Sequence, residues 1–133
     1  MASIYKINAG ILNPESPQKC RFIKDGALIF NEDGHILYCG QRQHAPLLRS
    51  IKIEAPADAI VIPGLIDCHT HLSQYYVRGR SGDTLLGWLK NHIFPAEKRF
   101  SGAGHARQTS RKFFQRLLSN GVTCAALYTN YRA

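Results

Sequence analysis

The residues best placed to do chemistry are Asp67-Cys68-His69-Thr70-His71, at the end of the apolar run that begins Leu65-Ile66. Side chains alternate along a strand, so His69 and His71 are expected on the same side. Two imidazoles on one side can share a divalent metal, with nitrogen–metal distances of about 2.0–2.1 Å for zinc. The spacing by itself leaves a second reading open, a polar strand end satisfied by backbone and water. The four cysteines offer less. Cys20, Cys39, Cys68 and Cys124 form no C-x-x-C pair, which argues against a zinc knuckle or a redox motif and for reduced thiols.

The elements that must position these residues divide at Pro63-Gly64. Before it the chain is β-rich. Ile4 to Leu12 reads as a strand ended by Asn13-Pro14-Glu15-Ser16-Pro17, because proline cannot donate to a ladder. Gly26–Phe30, the turn Asn31–Gly34 and His35–Cys39 read as a hairpin, followed by apolar stretches at Ile51–Ile53 and Ala59–Ile62. After Pro63-Gly64 the pattern becomes strand, helices, strand. Leu65–Cys68 suits a buried strand, Ser73 to Asp83 a polar loop, and Thr84 to Ile93 a helix capped by Asp83. Gly104 to Ser119 suits a second helix, with Phe113, Phe114, Leu117 and Leu118 clustered near its end and Asn120-Gly121 as its stop. Val122–Tyr128 then reads as another buried strand. A strand–helix–strand order of this kind is how a βα barrel begins, and such barrels carry their sites at the C-terminal ends of their strands.

The segment Val61-Ile-Pro-Gly-Leu-Ile-Asp-Cys-His-Thr-His71 resembles the strand-one signature of the metal-dependent amidohydrolase superfamily. Within it, His71-Leu-Ser-Gln-Tyr75 and Phe94-Pro-Ala-Glu-Lys-Arg-Phe100 resemble guanine deaminases in particular; triazine hydrolases and adenosine-type deaminases have similar segments. The resemblance implies an α/β fold: the start of a TIM-type (β/α)8 barrel over residues 63–133, preceded by part of a small β-sandwich domain over 1–62. It implies that His69 and His71 are metal ligands, most simply to one zinc ion, and that Gln74 hydrogen-bonds a purine. An amide suits that task because it offers both donor and acceptor; the plainer reading of Gln74 is a solvated loop residue. Trp88, Phe94, Pro95 and Phe100 are then packing residues, Asp67 a hydrogen-bonding residue near the strand end, and Cys68 a buried apolar one. His35, His44, His92 and His105 match no ligand position. The chemistry implied is hydrolytic deamination of guanine to xanthine and ammonia, in purine catabolism, by hydroxide that the metal makes available at neutral pH.

Length sets the remaining expectation. The chain has 133 residues, a soft prior for one domain or slightly less, whereas a TIM barrel alone takes about 250. The resemblance stops at Tyr128, which leaves room for two βα units. The other ligands and the acid–base residues of such enzymes come from later strands. The chain therefore reads as the opening third of an enzyme, inactive and poorly folded alone, or as a non-catalytic remnant able to associate with a chain that supplies the rest. Members of the family are usually homodimers. No apolar stretch is long enough to span a membrane and the N-terminus lacks a signal-peptide layout, so a cytoplasmic protein with no membrane partner is expected.

Charge is uneven. Residues 1–71 hold seven Lys/Arg and seven Asp/Glu, while residues 72–133 hold ten basic and two acidic residues, so the net charge of +8 sits in the second half. Clustered Lys and Arg can bind nucleic acid, but these are scattered through loop and helix with no accompanying motif. A solvated face, or a segment whose acidic counterparts lie elsewhere, accounts for them, and no nucleic-acid partner is expected.

Overall fold

The computed structural model describes residues 2–82 and 84–129. The chain forms two compact units, Met1–Pro63 and Gly64–Ala133. The secondary structure is mixed α/β.

The first unit is one sheet. β1 (Ile4–Ser16) and β2 (Lys19–Asn31) form a long antiparallel pair, with β3 (Ile36–Gln41) on the far side of β2. On its other edge β1 pairs in parallel with β4 (Ile51–Ile53) and β5 (Ile60–Val61). The β2–β3 turn falls where the sequence predicts it. Gly34 takes φ +82°, the left-handed region open to glycine, and Asn31 Oδ1 accepts from the His35 N–H at 2.8 Å. β1 continues past Pro14, where the sequence predicts an end. β4 and β5 pair only with Tyr5–Ile7 and Gly10–Ile11, so Pro14 has a strand on one side only and its missing N–H breaks no second ladder. Ile11, Ala27 and Ile29 are the buried apolar residues of this sheet.

In the second unit β6 (Leu65–His71) and β7 (Val122–Tyr128) pair in parallel, with Leu65 opposite Val122 and His71 opposite Tyr128. A parallel pair needs a long crossover, and all the helices of the unit lie in it. The stretch from Ser73, predicted as a polar loop, instead begins in a short 3₁₀ helix, Leu72–Val77, because Leu72 and Ser73 are buried under it. α1 (Leu85–Trp88) is capped by Thr84, whose side-chain oxygen accepts from the Gly87 N–H at 3.0 Å; the predicted cap Asp83 lies outside the described residues. A π-helical turn, Leu89–Ile93, joins α1 to α2 (Phe94–Phe100), and the Phe94 N–H reaches back five residues to the Leu89 carbonyl. The helix thus runs on beyond Ile93 despite Pro95. A proline ring collides with the preceding turn of a regular helix, and the wider turn just before it gives the room.

α3 (Ala103–Ser119) lies where the sequence predicts it. Its Phe113 joins Leu72 and Phe100 in a small core, with Tyr75, Ala106, Leu117 and Leu127 packed around it. Phe114 and Leu118 are exposed, so the predicted apolar cluster splits across two faces. Phe100 packs as expected, but Phe94 does not: it is 55% exposed. Cys68 is likewise exposed rather than buried. Among the described residues β6 has one strand neighbour, β7, and its apolar side chains open to solvent, as Ile66 at 67% exposure shows. Among the described residues no helix is long and apolar enough to cross a membrane.

Candidate functional site

The site begins with the pleat of β6. His69 and His71 stand two residues apart on it, and their Nε2 atoms converge to 3.1 Å. Nitrogens bound to one tetrahedral zinc at the usual bond length lie about 3.3 Å apart, so the pair has the separation that a shared ion requires. Two nitrogen donors also suit a borderline-soft divalent metal. His69 is anchored from below, its backbone N–H donating to Asp67 Oδ1 at 3.1 Å. Asp67 therefore points its carboxylate forward along the strand, toward the His69 amide. Among the described residues no group of three or more His, Cys, Asp or Glu side chains could hold an ion together.

β7 contributes the ring that packs the pair. Tyr128, opposite His71 in the ladder, stacks against both imidazoles, with ring centroids 4.6 Å from His69 and 5.3 Å from His71. Parallel pairing at the C-terminal ends of two strands is what delivers a β7 side chain to a β6 site. The sequence reading treats Tyr128 only as the end of a strand. Only the pairing of the two strands makes this contact, so neither run carries a signal of it.

The 3₁₀ helix brings in Gln74. Its Nε2 lies 3.2 Å from His71 Nδ1 and donates to Glu97 Oε1 at 3.1 Å. Glu97, on α2, is thereby tied to the imidazole pair through one amide. Sequence reasoning gives Glu97 no role, and a contact spanning 23 positions leaves no local signal. Gln74 is half-buried rather than a freely solvated loop residue.

His69, His71 and Gln74 share a cavity of about 270 Å³ with Val77, Arg78, Arg80 and Trp88. Trp88, predicted as a packing residue, lines this space, and its indole N–H donates to the Arg80 carbonyl at 2.7 Å. That bond ties the loop after the 3₁₀ helix to α1. The Arg78 guanidinium lies 3.9 Å from the centre of the Tyr75 ring, a cation–π contact.

Residues 60–132, more than half of the chain and the whole of this site, match the model of the amidohydrolase family. The chain belongs to that family. Among curated relatives, the guanine deaminase of Escherichia coli K12 is 32% identical over 129 residues, 95% of this chain and 29% of its own length. A 5-methylthioadenosine/S-adenosylhomocysteine deaminase from Teredinibacter turnerae is 31% identical over 125 residues, 92% of this chain and 28% of its own. Among solved structures, guanine deaminase from C. acetobutylicum with bound guanine superposes with a TM-score of 0.76 at 27% identity, covering 98% of this chain and 31% of that one. Guanine deaminase from Bradyrhizobium japonicum gives 0.79 at 29% identity, covering 96% and 29%. The chain thus spans about three-tenths of the length of these relatives.

Proposed function

We propose that this chain carries the first two metal ligands and a purine-binding amide of a guanine deaminase. Its second unit is read as the opening two βα units of a (β/α)8 barrel, and its first as part of a small β-sandwich domain. The observation that carries the proposal is the 3.1 Å approach of His69 Nε2 to His71 Nε2 at the end of β6, inside the segment that matches the family. Support for guanine comes from the relatives, several of which are guanine deaminases.

His69 and His71 would hold a divalent metal, and zinc fits nitrogen donors at this separation. Such an ion supplies hydroxide at neutral pH, the nucleophile that hydrolytic deamination needs. The residues of this chain do the rest that it can do. To hold the ion, both imidazoles would present unprotonated Nε2 atoms, which places the remaining proton of each ring on Nδ1. Gln74, beside Nδ1 of His71, offers its amide to the purine edge. Trp88 and Ile93 line the space with apolar surface, and Tyr128 stacks on the imidazoles. Two protein ligands fall short of the three usual for catalytic zinc, so turnover needs ligands and acid–base groups beyond those described here. The working protein is read as a cytoplasmic enzyme of purine catabolism.

The test is a chimera in which residues 64–129 replace the corresponding segment of the E. coli enzyme. Xanthine formation from guanine, abolished by His69→Ala or His71→Ala along with stoichiometric zinc, is the expected result. Deamination of 5-methylthioadenosine but not guanine would assign the segment to the other deaminases it resembles. A folded chimera that keeps its zinc and activity without His69 and His71 would overturn the ligand assignment.

A further inference from the structure

The second unit holds another cavity, of about 390 Å³, which borders the imidazole site and shares Val77 and Arg80 with it. Four basic side chains line it, Arg80, His92, Arg99 and His105, and among the described residues none of its lining is acidic. They come from three separate elements. Arg80 follows the 3₁₀ helix, His92 and Arg99 lie along the helix that passes through the π turn, and His105 stands in the first turn of α3. The positions are held. The Arg80 carbonyl is bonded by the Trp88 indole, and the His105 ring packs against Tyr76 with centroids 5.8 Å apart.

Nothing among the described residues neutralises these groups. The four described ion pairs all lie in the first unit, and none involves Arg80 or Arg99. Glu97 lies between His92 and Arg99 in sequence, but its Oε1 accepts from Gln74 and it does not line this cavity. A second, independent observation concerns Ser73. It lines the same space, is 4% exposed, and its Oγ has no hydrogen-bond partner among the described residues. A concave surface of one charge sign concentrates counter-ions, and guanidinium groups match phosphate oxygens with paired N–H donors. The volume is that of a small-molecule site rather than of a single ion.

We propose that this cavity is an oxyanion site that takes a phosphoryl group. The group could belong to inorganic phosphate or to a purine nucleotide, whose base would then reach toward Gln74 through the wall the two cavities share. The oxyanion site rests on the cavity and its lining alone; only the reach of a base to Gln74 rests on the purine-binding reading of that amide.

The test is titration of the 133-residue chain with inorganic phosphate and, separately, with guanosine monophosphate, followed by heteronuclear NMR. Saturable shifts are expected at Arg99, His105 and Ser73, with affinity falling as salt rises. Arg99→Gln should weaken binding at least fivefold, and Arg107→Gln, the same charge change on α3 outside the cavity, should leave it unchanged. Nucleotide binding at least tenfold tighter than phosphate, and weakened by Gln74→Ala, identifies a nucleotide site; equal affinities identify a phosphate site. No saturable shifts, or equal losses in the Arg99 and Arg107 variants, would overturn the proposal, the latter by showing diffuse attraction to the basic surface.

Discussion

Gln74 donates its side-chain N–H to Glu97 across 23 positions of sequence, at 3.1 Å, and the same nitrogen stands 3.2 Å from His71 Nδ1. An amide nitrogen is a donor only. With this nitrogen facing it, Nδ1 carries the lone pair, and the proton of the neutral ring sits on Nε2, toward His69. An ion held through both Nε2 atoms requires the other tautomer, with Nδ1–H donating to the amide oxygen. Gln74 must then turn over, which brings its oxygen toward the Glu97 carboxylate.

Glu97 should therefore oppose metal loading, and Glu97→Gln should relieve the opposition by offering an N–H to the turned amide. One hydrogen bond gained is worth about 1 kcal/mol, so zinc affinity by titration calorimetry should rise about fivefold in Glu97→Gln. Glu97→Ala, which removes the opposition without adding a donor, should fall between Glu97→Gln and the unaltered chain. The reverse order, with the unaltered chain binding most tightly, would mean that the carboxylate supports the ion instead.

Gly64 precedes β6 because nothing larger fits. A Cβ built there would stand 2.7 Å from Thr123 Cβ on β7 and overlap the rest of that side chain. Gly64→Ala should cost about 1–3 kcal/mol, the usual penalty for overpacking. Adding Thr123→Ala should recover most of it. Urea denaturation of the single and double variants checks both, and a single variant as stable as the unaltered chain would show that the strands part easily.

How far this site can be read from sequence follows from the range of the interactions involved. Strand alternation is a local rule, and it sends His69 and His71 to one side without reference to the rest of the chain. The helix of Ala103–Ser119 is local too, since the spacing of its apolar residues and its Asn120-Gly121 stop are written in order. Tyr128 reaches the imidazoles through strand pairing, and Glu97 reaches Gln74 through helix docking; neither contact has a local trace. The 3₁₀ helix at Leu72–Val77 is hidden for a related reason. Its Ser, Gln and Tyr residues look like a solvated loop until packing buries Leu72 and Ser73.

At the β1–β2 turn, Glu15 pairs with Lys19 at 2.6 Å and with Arg21 at 3.6 Å. The hydrogen bond from Lys19, with the charges of Lys19 and Arg21, holds the Glu15 carboxyl below its ordinary value of 4.5. A depressed carboxyl favours the folded turn above that value, and the contribution is lost as pH falls through the lowered one. A carbon-detected pH titration should place the Glu15 midpoint below 4.5, and Lys19→Met should move it back upward. Because these charges lie at the surface, added salt should shrink the shift.

Thr109 presents the opposite case, a polar group wholly out of water. It is 0% exposed on the inner face of α3, and its Oγ1 has no hydrogen-bond partner among the described residues. Burying a hydroxyl without a partner costs about 1–3 kcal/mol by protein mutational measures. Thr109→Val keeps the shape and β-branching while replacing the hydroxyl with a methyl group. The loss in helix propensity between Thr and Val is negligible beside that term. Thr109→Val should therefore stabilise the chain by about 1 kcal/mol, read as a higher midpoint in urea at unchanged slope. Thr109→Ser, which keeps the hydroxyl and removes the methyl, should destabilise it. If Thr109→Val proved the less stable of the two, the hydroxyl would have to be satisfied by a buried water.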